Sequence, residues 1–219
     1  MLRYITSDDL SKYSVAIFDL DGTLCDTQGD IVQIFRDALL AKGFPPVAKE
    51  LIPIGPPLEE TFASIIGQQA DASMIAELMV EFRKWYDVSD YPHSHLYPGA
   101  EALLRKLKAR GVYLAIATNK RIPSTSHLLE VKGILPMFDL VMSIDSEGRR
   151  WTKAEMLERI LSAANQPASH AIFFGDTVGD VRAAKKQGVD SVAVFYGYGQ
   201  PAELQNEQPD FYCESLAGL

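Results

Sequence analysis

Short apolar runs alternate with helical patterns along much of this chain, and the alternation limits the folds available to it. The runs are rich in β-branched and aromatic residues, and they read SVAIFDLDG, VYLAIATNK, FDLVMSID, HAIFFGD and SVAVFYG. Near-continuous apolar runs of this length are typical of strands buried on both faces. Between them, we predict helices in AEALLRKLKARG, KAEMLERILSAAN and GDVRAAKKQG. The pattern therefore predicts an α/β fold with a Rossmann-like, mostly parallel sheet.

The segment from residue 26 to residue 96 breaks this alternation. It contains three helical patterns, over roughly residues 30–42, 58–67 and 72–87, and no predicted strand. We therefore expect a discontinuous α/β core made of residues 1–25 and 97–219, with residues 26–96 inserted as an all-helical domain. The stretches CDTQGD and YPHSHLYPG at the two ends of the insertion carry the polar, Pro and Gly residues typical of hinges.

Composition and charge narrow the function classes. With 219 residues, of which 47% are hydrophobic, the chain is long enough to bury a substantial core. Its net charge of -8 argues against a nucleic acid polymer as partner, because proteins that bind nucleic acids normally carry a basic patch. The sequence has no signal-peptide pattern and no apolar stretch of membrane length. We expect a cytoplasmic protein with no membrane partner, as a monomer or a small homo-oligomer.

Polar side chains follow several of the predicted strands. Ligands of open parallel sheets bind beyond the carboxyl ends of the strands, where this sequence places Asp19, Asp21, Thr118, Asn119, Asp176 and Asp180, with Lys153 opening a nearby helix. Close carboxylates repel each other, so they need a cation, a shared proton or a catalytic role. Mg²⁺ prefers carboxylate oxygens, and hydroxyl, ammonium and backbone N–H groups hold phosphoryl oxygens. The set is typical of phosphoryl transfer, and the expected partner is a small phosphorylated metabolite.

In this order, DLDGT, Thr118, Lys153 and GDTVGD resemble the four signature motifs of the haloacid-dehalogenase-like (HAD) phosphatases. The helical insertion also falls where that family places a small cap. The resemblance implies that Asp19 attacks phosphorus to form an aspartyl-phosphate, and that Asp21 protonates the leaving alcohol and then activates water. The chain departs from the commonest pattern in one place, since Ala154 rather than proline follows Lys153.

The resemblance also assigns the binding residues. It implies Mg²⁺ as cofactor, held by Asp19, the backbone carbonyl of Asp21, Asp176 and Asp180, the last directly or through water. It implies that Thr118 and the backbone of Asn119 hold phosphoryl oxygens, while Lys153 offsets their charge. An acid at position 21 favours phosphate chemistry over dehalogenation. Taken singly, some of these residues also have structural interpretations: Asp180 as a helix-capping acid, Lys153 as a solvated helix residue and Thr118 as a strand end.

The substrate is the least determined feature. The stretch IGPPLEETF resembles a segment of phosphoglycolate-phosphatase-like HAD members, which makes Gly55, Glu59 and Phe62 candidates for substrate contacts, with cap packing the stronger interpretation of Phe62. We favour phosphoglycolate or a similar small organic phosphate. The alternatives are a 5′-nucleotidase-like phosphatase, a β-phosphoglucomutase-like phosphotransferase and, least favoured, a non-catalytic binding protein. Arg121, Arg149 and Arg150 are either steering charges for an anionic substrate or ordinary surface charge.

Overall fold

The computed structural model describes residues 2–67 and 70–219, and it is built on a six-stranded sheet. The strands of this sheet are β1 (Val15–Phe18), β4 (Tyr113–Thr118), β5 (Leu140–Ser143), β6 (Ala171–Gly175), β7 (Asp190–Val194) and β8 (Phe211–Cys213). Their order is β5-β4-β1-β6-β7-β8, and every neighbouring pair is parallel. The predicted parallel α/β fold is confirmed. All these strands therefore end at one edge of the sheet.

Alternate residues of the central strand bury different faces of the sheet. Ala16 and Phe18 pack into one apolar cluster, while Val15 and Ile17 pack into another. The first cluster is covered by α4 (Ala100–Ala109) and α5 (Ile122–Val131), and the second by α6 (Lys153–Ala164) and α7 (Val178–Gln187). Burial on both faces explains why the strand sequences are almost continuously apolar rather than alternating.

Three elements of the core escape prediction from sequence. Helix α5 has Pro in its first turn, followed by Ser and Thr residues of modest helix propensity. Helix α8 (Pro201–Asn206) is six residues long, and β8 has three residues at the edge of the sheet. Short elements of this kind are stabilised by tertiary packing rather than by local pattern, so a periodicity search does not detect them.

The inserted segment contains the three expected helices: α1 (Gln28–Ala41), α2 (Leu58–Ile66) and α3 (Ala72–Tyr86). Three phenylalanines form the centre of this cluster. The rings of Phe35 and Phe62 stack with centroids 4.0 Å apart, and Phe82 meets both rings edge-on. The three rings belong to the same apolar cluster as Ala16 and Phe18 of the sheet, so the insertion packs against one face of the core.

The two ends of the insertion are joined to each other. An antiparallel pair of two-residue strands, β2 (Cys25–Asp26) and β3 (His95–Leu96), links the outgoing and returning chain. The Asp30 carboxylate is buried and accepts hydrogen bonds from the Ser94 hydroxyl at 2.6 Å and from a backbone N–H at 3.1 Å. These contacts hold the two connections side by side. Within the described part of the chain, no helix combines the length and apolarity needed to cross a membrane.

Candidate active site

Asp19 lies one residue beyond β1, at the edge where the parallel strands end. The residue is only 5% exposed, and its carboxylate accepts a hydrogen bond from the backbone N–H of Leu20 at 2.8 Å. On its other oxygen, the ammonium of Lys153 lies 2.6 Å away. Lys153 is the first residue of α6, which begins at the capping box formed by Thr152 and Glu155. This local cap starts the helix without a proline at position 154.

Two more carboxylates complete the buried cluster. Asp176 follows β6 directly, and Asp180 stands in the first turn of α7. One oxygen of Asp180 closes a capping box with Thr177, and the other lies 2.5 Å from the Lys153 ammonium. Asp180 therefore both caps its helix and belongs to the site, so the two interpretations of this residue are compatible.

Burial dominates the electrostatics of the cluster. It raises the pKa of Asp19 to about 8, against the opposing charge of Lys153 and with a further contribution from the neighbouring carboxylates. Burial and the charge of Asp180 raise the pKa of Asp176 to about 7. Desolvation alone would lower the pKa of Lys153, but the carboxylates of Asp180 and Asp19 raise it above its usual value. Lys153 therefore stays positively charged, and its single charge is too small to balance the three carboxylates around it.

The cluster fits a divalent cation. Carboxylate oxygens of Asp19, Asp176 and Asp180 all lie within 4.8 Å of one another, and all three residues are buried. Lys153 is the one cationic side chain within 4 Å of these oxygens among residues 2–67 and 70–219. Three buried carboxylates against one ammonium leave a negative excess that a hard, oxygen-binding cation would neutralise.

Asp21 has a different environment from the three clustered acids. Its carboxylate accepts a hydrogen bond from the Thr27 hydroxyl at 2.6 Å and lies 3.2 Å from the ammonium of Lys120. Lys120 in turn donates to the hydroxyl of Tyr86 on α3 at 2.5 Å. Asp21 is thus positioned by groups from the insertion and from the loop after β4. The sequence offered one signal for Lys120, its place two residues beyond Thr118, but no signal for its partner Tyr86.

At Gly22 the backbone passes so close to the acidic cluster that only glycine fits. Gly22 has a φ of 79°, and a side chain there would collide with the Asp176 carboxylate. The loop after β7 supplies a hydrogen bond to that same carboxylate, from the backbone N–H of Tyr198 at 2.7 Å. The Tyr198 hydroxyl also accepts from the backbone N–H of Thr27 at 2.7 Å. Tyr198 therefore joins the acidic cluster to the start of the insertion, a role the sequence did not predict.

A cavity of about 570 Å³ opens next to the acids, between the core and the inserted helices. Asp19, Asp21, Thr118 and Asn119 line it from the core side, and Gly55 lines it from the insertion. The Asn119 side chain donates to the Gly55 carbonyl at 3.2 Å. The insertion also contributes a set of apolar side chains to the wall, including Ile31, Phe35, Ile54, Leu58, Met79 and Phe82.

The candidate substrate residues from the insertion fall into two groups. Gly55 and Glu59 line the cavity, and Glu59 lies 3.4 Å from Arg150 across its mouth. Phe62 does not line it, and its fully buried ring packs in the stack with Phe35, in agreement with the cap-packing interpretation. Arg121 lies 3.4 Å from Asp87 and 2.9 Å from Asp145. Both arginines are therefore paired residues of the cavity wall.

Residues 16–194 match the family model of the haloacid dehalogenase-like hydrolases. The chain belongs to this family. The HAD-like fold is also found in a solved structure of a haloacid dehalogenase-like hydrolase from Streptococcus pneumoniae, which is 27% identical, has a TM-score of 0.84 and is matched over 94% of this chain and 96% of that one. The recognition of a haloacid-dehalogenase-like hydrolase from the four motifs is confirmed.

Three of the proteins that are similar to this HAD-like chain have enzyme names. The tyrosine-protein kinase PtkA of Mycobacterium tuberculosis is 33% identical over 85% of this chain, which spans only 63% of PtkA. A 5′-nucleotidase of Pseudomonas aeruginosa is 30% identical over 97% of this chain and 96% of its own length. A phosphoglycolate phosphatase of Vibrio cholerae is 29% identical over 96% of both chains.

Proposed function

We propose that this HAD-like hydrolase is a Mg²⁺-dependent phosphatase that cleaves a small organic phosphate monoester through a phosphorylated Asp19. The observation that carries the proposal is the cluster of three buried carboxylates around Lys153 at the open edge of the sheet. Such a cluster is costly to bury, and packing alone gives no reason to keep it. Metal and phosphate chemistry accounts for both the acids and the lysine.

In the first step, a carboxylate oxygen of Asp19 attacks phosphorus and the bond to the leaving oxygen breaks. Asp21 donates its proton to that oxygen, so the leaving group departs as an alcohol. Asp21 is two residues beyond Asp19 and lines the same cavity. Its contacts with Thr27 and Lys120 hold one of the two carboxylate oxygens in place.

In the second step, water attacks the phosphorus of the phosphorylated Asp19. Asp21, now a carboxylate, accepts a proton from the water, and the bond between phosphorus and the Asp19 oxygen breaks to release phosphate. The proton and electron balance is restored, because Asp21 regains the proton it gave up. The same acid thus serves both half-reactions.

The phosphoryl oxygens are held by core residues. Thr118 ends β4, and both Thr118 and Asn119 line the cavity together with Asp19. The Lys153 ammonium compensates negative charge on Asp19 and on the transferred group. Asp19, the Asp21 carbonyl, Asp176 and Asp180 would hold Mg²⁺, which when bound stabilises negative charge on the phosphoryl oxygens.

Residues 26–96 act in this proposal as a cap that closes over the site. Three consecutive core residues contact it: Asn119 meets Gly55, Lys120 meets Tyr86, and Arg121 meets Asp87. A lid of this kind excludes water and contacts the leaving group. Since these residues directly follow Thr118, closure and phosphate binding involve the same loop.

Two substrate classes have support. Phosphoglycolate remains the first candidate, from the IGPPLEETF segment and from relatives such as the phosphoglycolate phosphatase of Vibrio cholerae. A 5′-nucleotide is the second, since the cavity is of the size that holds drug-sized ligands and its cap wall is apolar. The relationship to the 5′-nucleotidase of Pseudomonas aeruginosa supports the same candidate.

The test is phosphate release from a panel of phosphoglycolate, 5′-nucleotides, sugar phosphates and sugar bisphosphates, each with Mg²⁺ and with chelator. We expect release that requires Mg²⁺ and is strongest for one class. Conversion of a sugar bisphosphate without net phosphate release would instead identify a phosphotransferase. Absence of any turnover with Mg²⁺ would contradict the proposal.

A further inference from the structure

Five cationic side chains line the cavity, and four of them are already paired. Each of the four has a carboxylate oxygen within 4 Å: Lys120 faces Asp21, Arg121 faces Asp87 and Asp145, Arg149 faces Glu155, and Arg150 faces Glu59. Arg83 on α3 is the exception, because no carboxylate of the described residues lies within that distance of its guanidinium. Its charge is therefore available to a ligand in the cavity.

The Arg83 side chain is also incompletely hydrogen-bonded. Its Nε–H is buried and has no acceptor among the described residues. Burial lowers the pKa of Arg83, and the nearby charge of Arg121 lowers it further, while Asp87, Asp145 and Glu59 act in the opposite direction. Those three acids already compensate Arg121 and Arg150. A buried donor without an acceptor destabilises the protein, so a ligand that supplies the acceptor would be favoured.

Arg83 lines the same cavity as the residues proposed to react with the phosphate ester. It lines the cavity beside Phe82, on the cap helix that also carries Tyr86, whose hydroxyl contacts the Lys120 partner of Asp21. Asp19 and Thr118 line the same cavity from the core. A phosphate ester bound at Asp19 would place its leaving group in this cavity, whose wall includes Arg83.

We propose that Arg83 binds a second anionic group of the substrate, carried by the leaving group. The inference rests on the phosphatase function proposed above, and it specifies the substrate class. A guanidinium presents two parallel N–H donors, which match a carboxylate or a phosphate. A nucleoside 5′-monophosphate is charged only on the phosphoryl group that is removed. Arg83 therefore favours phosphorylated acids or bisphosphates over simple nucleotides.

The test uses pairs of phosphate esters in which the far end of the leaving group is an anion in one member and neutral in the other. One pair is 4-carboxyphenyl phosphate and its carboxamide, and another is phosphoglycolate and its amide. A third pair, 1,3-propanediol bisphosphate and 3-hydroxypropyl phosphate, tests phosphate as the second anion. For the charged member of at least one pair, we expect the wild-type protein to have a kcat/KM about tenfold to a hundredfold higher. The pair that shows the preference identifies the group.

Variants of Arg83 then assign the preference to this residue. Arg83→Gln should remove it by lowering kcat/KM for the charged member, while the neutral member changes by less than about twofold. Arg83→Lys should restore part of it. The matched control is Arg105→Gln, which removes an exposed arginine paired with Glu101 outside the cavity. This control should leave both members of each pair unchanged.

Binding without turnover supplies a second readout. The probes are 3-phosphonopropanoate and propylphosphonate, which lack the hydrolysable ester bond. The wild-type protein should bind the former more tightly, and Arg83→Gln should not. A wild-type preference that survives Arg83→Gln, or the absence of any preference in a protein that releases phosphate from both members, would overturn the inference. Failure of the phosphatase function itself would appear differently, as no Mg²⁺-dependent release from either member.

Discussion

The two walls of the cavity differ in chemical character, since the core side is charged and the cap side is mainly apolar. On the core side, the wall carries charged side chains that have named partners, as Asp19 has in Leu20 and Lys153. On the cap side, the wall is mainly apolar and is supported by stacked rings such as Phe35 and Phe62. It includes a single unpaired cation among the described residues, Arg83.

This difference separates chemistry from selection. Rigid strand ends fix reacting groups closely, as proton and phosphoryl transfer require. Leu20 and Lys153, which contact the Asp19 carboxylate, both belong to the core. The apolar side chains of the inserted segment can therefore vary while the acidic cluster stays the same, and proteins with the same core can differ in substrate. The comparison predicts that core substitutions remove turnover, whereas cap substitutions change stability or preference.

The largest effect is expected for Asp19→Asn. Removing the nucleophile should lower kcat by about 10⁴-fold or more, equivalent to about 5 kcal/mol of transition-state stabilisation, because the amide cannot form the phosphorylated intermediate. Steady-state phosphate release measures this loss, and circular dichroism should be unchanged. The matched control Asp37→Asn replaces an exposed acid on α1 and should keep full activity. Substantial turnover by Asp19→Asn would assign the nucleophile elsewhere.

A smaller effect, on stability, is expected for Phe62→Ala in the cap. Deleting a fully buried ring from the stack with Phe35 should lower the free energy of unfolding by about 3–5 kcal/mol. Chemical denaturation measures it, and Phe62→Leu should lose less because it fills more of the space. Leu51→Ala, at a position 67% exposed, is the control. A raised KM with unchanged stability would instead make Phe62 a substrate contact.

The smallest effect concerns metal binding and pH. Burial raises the pKa of Asp19 to about 8 and the pKa of Asp176 to about 7, well above the value of about 3.9 for an unfolded aspartate. Between these values, the folded metal-free protein retains protons that the unfolded chain has released. Its stability therefore falls as pH rises from about 4 to about 8. Mg²⁺ must displace those protons, so it should stabilise more at high pH.

Thermal unfolding with Mg²⁺ and with chelator checks this expectation at about pH 5.5 and about pH 8. At one fixed Mg²⁺ concentration, chosen as about 100 times the Kd at the higher pH, the stabilisation there is about 2.7 kcal/mol, and it should be smaller at the lower pH, where protons raise the apparent Kd. Asp176→Asn should reduce the shift at both values. A shift that is equal at both pH values in the wild-type protein would argue against the carboxyl groups as the metal ligands.

The strand runs and the positions of the acids could be predicted because both are local patterns. Each of the five predicted strands appears in the sheet, and Asp19, Thr118 and Asp176 stand at or just beyond strand ends as expected. Strands that alternate with helices are joined by crossover connections and run parallel, which brings these ends to one edge. The three-residue strand β8 was not predicted, since three residues carry no periodicity.

The sequence by itself therefore determined the core fold, the acids at the strand ends and the family. Only the tertiary structure decided which cavity residues are paired and which are free. Tyr86 and Lys120 are 34 positions apart, and Tyr198 and Thr27 are 171 apart. Neither contact has a local signal, because it depends on how the cap lies against the core. Likewise, Arg83 is unpaired among the described residues because the carboxylates near it already pair with other arginines.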